Sequence, residues 1–223
     1  MIDPACHVLD DPSVPLAELL AAEARRGGTI ALTGGSSPGR AYELAAELEP
    51  DWQRASVWWG DERCVPPDDE RSNYLLAKRS LLDRLERRPH VHRIHGELQP
   101  ADAAGEYDRK LSGVVLDLLL LGLGPDGHVA SLFPGSPQLL ERTRRATSGE
   151  ARLEPYVDRV TMTLPTLLAA RRIVFIVLGA GKAEIVARAF SGPVTDEVPA
   201  SLLRAGTAAI DVYLDPAAGS GIS

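Results

Sequence analysis

An α/β fold built on a mostly parallel, open sheet is predicted, on three observations. Strand-like and helix-like segments alternate from residue 14 to residue 214, the pattern of βαβ units. Two segments, 114–121 and 172–178, are predominantly apolar runs of strand length, as expected of strands covered on both faces. Gly-rich turns follow several strands, at Gly34-Gly35, Gly122–Gly127 and Gly179-Ala180-Gly181. With helices on both faces, the arrangement is a Rossmann-like, three-layer open sheet.

Each element has its own signal. Residues 14–26, rich in Ala, Leu and Glu, predict a helix. Thr29–Thr33 is a short apolar strand running into Gly34-Gly35. A helix is expected over Ala41–Leu48, a strand over Ser56–Gly60 and a helix over Ser72–Leu85. Val91–Ile94 is a short strand candidate, Ala101–Leu111 a helix and Val114–Leu121 a buried strand. Arg159–Thr163 is β-rich, and Arg172–Leu178 is a second buried strand leading to a helix at Lys182–Phe190. Ala208–Leu214 is the last strand. The polar stretch 142–155 reads as a loop or surface excursion, and the tail from Pro216 to Ser223 is expected to be disordered. No repeat or Pro/Gly linker divides the chain, so residues 1–223 are expected to form one domain.

Composition narrows the function classes. The chain has 223 residues, 44% of them hydrophobic, enough for a sizeable core. Its net charge of −7 and 5% aromatic content argue against a nucleic-acid partner. An anionic small molecule would need a local cationic pocket. No apolar run reaches the length of a membrane span. Cys6 and Cys64 are the only cysteines; they could form one bridge, but a reduced, cytoplasmic setting is the simpler expectation. The polar residues after Met1 lack the regions of a signal peptide.

In open parallel sheets, ligands bind beyond the carboxyl ends of the strands, so the residues that follow the strands carry the functional reading. After the first strand comes Thr33-Gly34-Gly35-Ser36-Ser37-Pro38. Glycines permit close backbone approach, a serine can cap the next helix, and free amides at a helix start favour a phosphate. An ordinary strand-to-helix turn explains the same residues. Asp61, Glu62 and Arg63 form a dense charge cluster after the second strand; a surface ion-pair network is the plainer account.

The segment GLGPDGHVASLFPG at 122–135 is the richest. Gly122, Gly124 and Gly127 have the spacing of a dinucleotide fingerprint, but Pro134 cuts short the helix that motif requires. What remains is Asp126 and His128, two residues apart on a Gly-rich turn. Histidine suits general acid–base work, and a nearby carboxylate can orient its ring; a structural histidine is the alternative. Two later cations are candidates: Arg159 opens a strand, and Lys182 sits at a helix start. A lysine there opposes the macrodipole unless an anion binds beside it; a solvated surface lysine fits equally. His90, His92 and His95 have no partner at zinc spacing, so no metal is expected. Cys64 beside Arg63 could have a lowered pKa but lacks a neighbouring histidine in sequence.

Taken together, five blocks in order resemble the 6-phosphogluconolactonases, in the fold group shared with glucosamine-6-phosphate deaminase. They are LTGGSSP (32–38), WWGDERCVPPDDERSNY (58–74), GLGPDGHVASLFPG (122–135), RVTMTLPTLLAARRIVFIVLGAGKA (159–183) and PASLL (199–203). The resemblance covers about Thr29 to Leu214. It implies that Gly34, Gly35, Ser36 and Ser37 hold the substrate phosphate, with Arg159 and Lys182 as cationic partners. It implies that His128 is the catalytic histidine, supported by Asp126, and that Asp61 and Arg63 line the sugar pocket. The expected reaction is hydrolysis of 6-phospho-D-glucono-1,5-lactone, without metal or cofactor, in a monomer or weak homodimer.

Two departures accompany the resemblance. Val129 stands where many members carry threonine, which implies tuning rather than loss of activity. The segment before the first clear strand is short for the family, which puts the first edge element in doubt. Two rivals are kept. A glucosamine-6-phosphate deaminase would carry a carboxylate shortly after the histidine, and Ser131-Leu132-Phe133-Pro134 holds none. A catalytically silent sugar-phosphate sensor would carry a DNA-binding extension or a basic face, and neither is visible in the sequence.

Overall fold

Seven parallel strands make the main sheet. The fold is described for residues 2–222 in a computed structural model. In chain order the first half comprises β1 (Ala5–Val8), α1 (Ser13–Arg26), β2 (Thr29–Leu32), α2 (Gly39–Leu48), β3 (Ser56–Trp59), β4 (Asp61–Arg63), α3 (Asn73–Ser80), β5 (His90–Val91) and α4 (Pro100–Lys110). The second half comprises β6 (Leu118–Leu121), β7 (Ala146–Gly149), β8 (Arg159–Met162), α5 (Leu164–Leu168), β9 (Arg172–Val177), α6 (Ala183–Phe190), β10 (Ala209–Leu214) and α7 (Pro216–Gly219).

The open, mostly parallel α/β sheet is therefore as expected. Its centre is β6, four leucines that are all fully buried between β9 and β2. Burying each leucine contributes about 1.5–3 kcal/mol. α1 ends as its sequence dictates: Gly27 takes a left-handed φ of 76°, and its N–H returns to the Ala24 carbonyl.

Strand order creates the crevice. From β2 the chain moves outward through β3 to β5, then returns to the other side of β2 at β6 and continues through β9 to β10. Loops leaving β2 and β6 therefore diverge, and this reversal is where ligands bind in such sheets. Two of the three Gly-rich turns singled out from sequence, at Gly34-Gly35 and Gly122–Gly127, are those loops.

Several expectations need correction. The strand expected over Val114–Leu121 is only Leu118–Leu121. Val114 N–H still closes a turn onto the Leu111 carbonyl, and Val115 is 46% exposed. Asp61–Arg63, read only as a charge cluster after the second strand, and Ala146–Gly149, inside the stretch expected as a loop or surface excursion, pair with β8 in a separate three-stranded antiparallel sheet, β4-β8-β7. Arg159–Met162 is a strand of that second sheet rather than of the main one. Short polar segments hide this pairing, because it rests on backbone groups rather than on an apolar pattern.

Regular structure reaches further towards both ends than expected. The doubtful first edge element exists: β1 pairs with β10 from Ala5↔Asp211 to Val8↔Leu214. The tail expected to be disordered from 216 begins with α7. Asp215 caps it, its carboxylate accepting the Ala218 N–H at 2.7 Å, and Pro216 occupies its first turn. Ala218 is fully buried, and a side chain at Gly219 would strike Val8.

Candidate active site

The loop after β2 is anchored by a buried tyrosine. Tyr42 of α2 donates its hydroxyl to the Thr33 carbonyl at 2.7 Å, and its oxygen accepts the Thr33 N–H at 3.0 Å. Gly35 then adopts φ 88°, in open space, so backbone conformation rather than crowding requires glycine there. The expectation that Ser36 or Ser37 caps α2 fails. Pro38 occupies the cap position with no side-chain cap bond, and both serines face the cleft instead.

β4 sorts its three charges by alternation. Glu62 is buried, and its carboxylate accepts the N–H groups of Arg63, Asn73 and Tyr74 at 2.7–2.8 Å and the Ser72 hydroxyl at 3.0 Å. Burial pushes its pKa up against those four donors. It ties β4 to the start of α3 and supplies the acceptor that a helix N-terminus needs. Asp61 and Arg63 line the cleft. Asp61 accepts from Ser131 Oγ at 2.6 Å and from Asn73 Nδ2 at 3.1 Å.

The turn after β6 holds the histidine. Asp126 Oδ1 lies 2.6 Å from His128 Nδ1 and accepts the His128 N–H at 3.1 Å. Burial works against the Asp126 carboxylate, but the His128 ring and N–H outweigh it and hold its pKa below the ordinary value. Gly124 packs under the imidazole, where an added Cβ would come within 2.0 Å of Nδ1. Phe133 covers another side of the ring, centroid to centroid 4.6 Å. Ala130, just beyond, has φ 50°, a left-handed strain of a kind that clusters at functional sites.

The cations converge from the second sheet and from β9. Arg63 and Arg159 are direct partners across β4 and β8, a like-charge pairing that costs stability in a sheet. Arg159 is 4% exposed; Nη2 donates to the Pro155 carbonyl at 2.9 Å, while Nε and Nη1 have no partner among the described residues. Arg63 reaches the Arg71 carbonyl through Nη1 and leaves Nε unpartnered. Burial, then the Arg63 charge, lowers the Arg159 pKa. Lys182 Nζ donates to the Leu123 carbonyl at 2.7 Å, so a backbone acceptor, not an anion alone, answers its position before α6. Burial lowers its pKa, and Asp126 partly restores it.

These groups meet in one cleft of about 270 Å³. Gly34, Gly35, Ser36, Ser37, Asp61, Arg63, His128, Arg159 and Lys182 all line it, and Asp126 stands behind His128. Asn73, Ser131, Phe133 and the loop residues Leu153 and Glu154 were not anticipated. Asn73 and Ser131 lie inside the quoted blocks, but only the folded contacts give them a role.

Other candidates lie outside the cleft. Cys6 and Cys64 are free thiols, so no bridge joins them. Burial, with Asp158 and Glu62, pushes the Cys64 thiol up to about 11, the reverse of the lowering that Arg63 suggested. His92 stacks on Trp58 and His95 pairs with Glu106. Among the described residues no group of three or more His, Cys, Asp or Glu converges as a metal site, and no helix is long and apolar enough to cross a membrane.

Known proteins resemble this chain over most of its length. Residues 15–212 match the family described as glucosamine-6-phosphate isomerases/6-phosphogluconolactonase. The chain is 38% identical over 210 residues to a human 6-phosphogluconolactonase, covering 88% of this chain and 81% of that protein. It is 36% identical over 206 residues to a 6-phosphogluconolactonase of Nostoc sp., covering 87% and 85%. Among solved structures, 6-phosphogluconolactonase from Leishmania guyanensis superposes over 100% of both chains, with TM-score 0.88 at 27% identity. The chain belongs to the glucosamine-6-phosphate isomerase/6-phosphogluconolactonase family.

Proposed function

We propose that this chain is a 6-phosphogluconolactonase, hydrolysing 6-phospho-D-glucono-1,5-lactone to 6-phospho-D-gluconate in the oxidative pentose phosphate pathway. The observation that carries this reading is the pairing of an imidazole–carboxylate dyad with three cations in one cleft. The named relatives supply the substrate.

The phosphate sits on the side of Gly34–Ser37, Arg159 and Lys182. Unpartnered guanidinium N–H groups are suited to phosphate oxygens, and a bound dianion relieves the opposition of Arg63 and Arg159. Asp61 accepts hydroxyls of the sugar ring.

At the other end, ionised Asp126 is acceptor-only, so His128 carries its proton on Nδ1 and keeps the Nε2 lone pair. Nε2 takes a proton from water as that water attacks C1. Charge builds on the carbonyl oxygen, where Arg63 or an amide of the Gly-rich turn stabilises it, a contribution of about 3–4 kcal/mol. Collapse breaks the bond from C1 to the ring oxygen, and the imidazolium returns its proton to that oxygen. The residues after His128 fit hydrolysis better than deamination: no carboxylate follows it through Pro134, and the Ser131 hydroxyl is committed to Asp61.

An assay with freshly made lactone, corrected for spontaneous hydrolysis, tests the reading. Acceleration by the wild type and its loss in His128→Ala are expected. Ammonia release from glucosamine 6-phosphate would replace it with the deaminase reading.

A further inference from the structure

Asp61 is 8% exposed and held from two sides, by Ser131 on the histidine turn and by Asn73 at the start of α3. Asn73 is the more informative of the two. Its Nδ2 donates both to the Asp61 carboxylate at 3.1 Å and to the Asp61 carbonyl at 3.0 Å. Its other amide atom, Oδ1, is buried, has no partner among the described residues and lies over Gly34. A Cβ on Gly34 would come within 1.7 Å of it. One side chain therefore spans the loop after β2 and the carboxylate on β4.

The start of α3 does not need that side chain to be capped. Ser72 caps α3, accepting the Leu75 N–H at 3.1 Å, and the Asn73 backbone N–H goes to Glu62 at 2.7 Å. Both contacts survive any change at the Asn73 side chain. The residue is nonetheless 2% exposed and orients an acid that faces the cleft.

We propose that Asn73 is a positioning residue for the lactonase reaction, aiming the Asp61 carboxylate at the sugar ring in fixed relation to the loop at Gly34. The inference rests on the lactonase reading above. An ionised carboxylate has about four acceptor sites. Asn73 and Ser131 occupy two of them, which leaves the remainder pointing in a set direction for ring hydroxyls. Gly34 is glycine, on this account, because any side chain there would push the amide off Asp61.

A double-mutant cycle on the full chain, read with 6-phospho-D-glucono-1,5-lactone, tests this. Asn73→Ala should lower kcat/KM about tenfold to a hundredfold, the range for one hydrogen bond to a charged group, while the chain stays folded at the assay temperature. Its split between kcat and KM should match that of Asp61→Ala. The double variant should be no weaker than Asp61→Ala alone. Losses that multiply would overturn the proposal. Asn73→Asp keeps the shape over Gly34 and loses the Nδ2 donor, so it should lose activity as well; wild-type turnover there would also overturn it. If Asn73→Ala does not fold, Asn73→Asp takes its place in the cycle. An inactive wild type would instead bring down the lactonase reading and this inference with it, whereas an active wild type with independent losses removes only the role of Asn73.

Discussion

Oδ1 of Asp126 binds His128 twice, accepting the backbone N–H at 3.1 Å and standing 2.6 Å from ring Nδ1. A single carboxylate oxygen thus shapes the turn and selects the tautomer, so its effect separates from that of the ring itself.

Replacing His128 by Asn should lower kcat about 10²- to 10⁴-fold, the usual worth of a positioned general base, with the circular dichroism spectrum unchanged. Asp126→Asn should lower kcat by a comparable factor. Its amide can donate to Nδ1, which moves the ring proton to Nε2 and removes the base. Turnover near wild type in His128→Asn would sink the assignment.

Asp126 also carries a stability signature. Its pKa lies below the ordinary 3.8, so its contribution is fully present above that value and is lost as pH falls through the folded one. The stability gap between wild type and Asp126→Asn should therefore close on acidification below 3.8. Urea melts at several pH values measure it; a gap that stays fully open well below pH 3.8 contradicts the pairing.

Gly124 and Gly127 should fail differently. Gly124→Ala puts a Cβ within 2.0 Å of His128 Nδ1, so the ring must leave Asp126 and kcat should fall while the fold holds. Gly127 has φ 86°, and a Cβ there would meet Val198 at 2.8 Å. Gly127→Ala should cost stability, about 1–2 kcal/mol from the left-handed backbone alone, seen as a lower thermal midpoint. Equal effects of both variants on kcat and midpoint would contradict this division.

Lys182→Ala should mainly raise KM, leaving kcat within a few-fold. In the wild type, burial lowers the Lys182 pKa from the ordinary 10.5, so its charge is lost at a lower pH than for a solvated lysine. KM should climb in the alkaline range in wild type and lose that climb in Lys182→Ala. Steady-state kinetics against pH decides it, and an unchanged KM in the variant would remove Lys182 from phosphate binding.

Glu62→Gln should destabilise without touching the cleft. An amide offers one acceptor oxygen to the four donors that now share the carboxylate, and each buried donor left unpaired costs about 1–3 kcal/mol. A denaturant midpoint at the wild-type value would show that another group holds the start of α3.

Much of this was written in the residues. The leucines of β6 and the apolar run of β9 could only be strands covered on both faces, and a chain alternating such strands with helices has one sheet to build. The Asp126–His128 contact was legible because two residues on one turn are neighbours in any fold. Even the α7 signal, Asp215 before Pro216, was present though overlooked. Folding alone decided the rest, because it depended on partners distant in sequence. β4 and β7 are too short and polar to show a pattern, and they become strands only by pairing with β8. Arg63 meets Arg159, and Asn73 meets Gly34 and Asp61, across separations that no local spacing encodes. Local chemistry named the groups that react; the crossover between β2 and β6 determined which of them share a cleft.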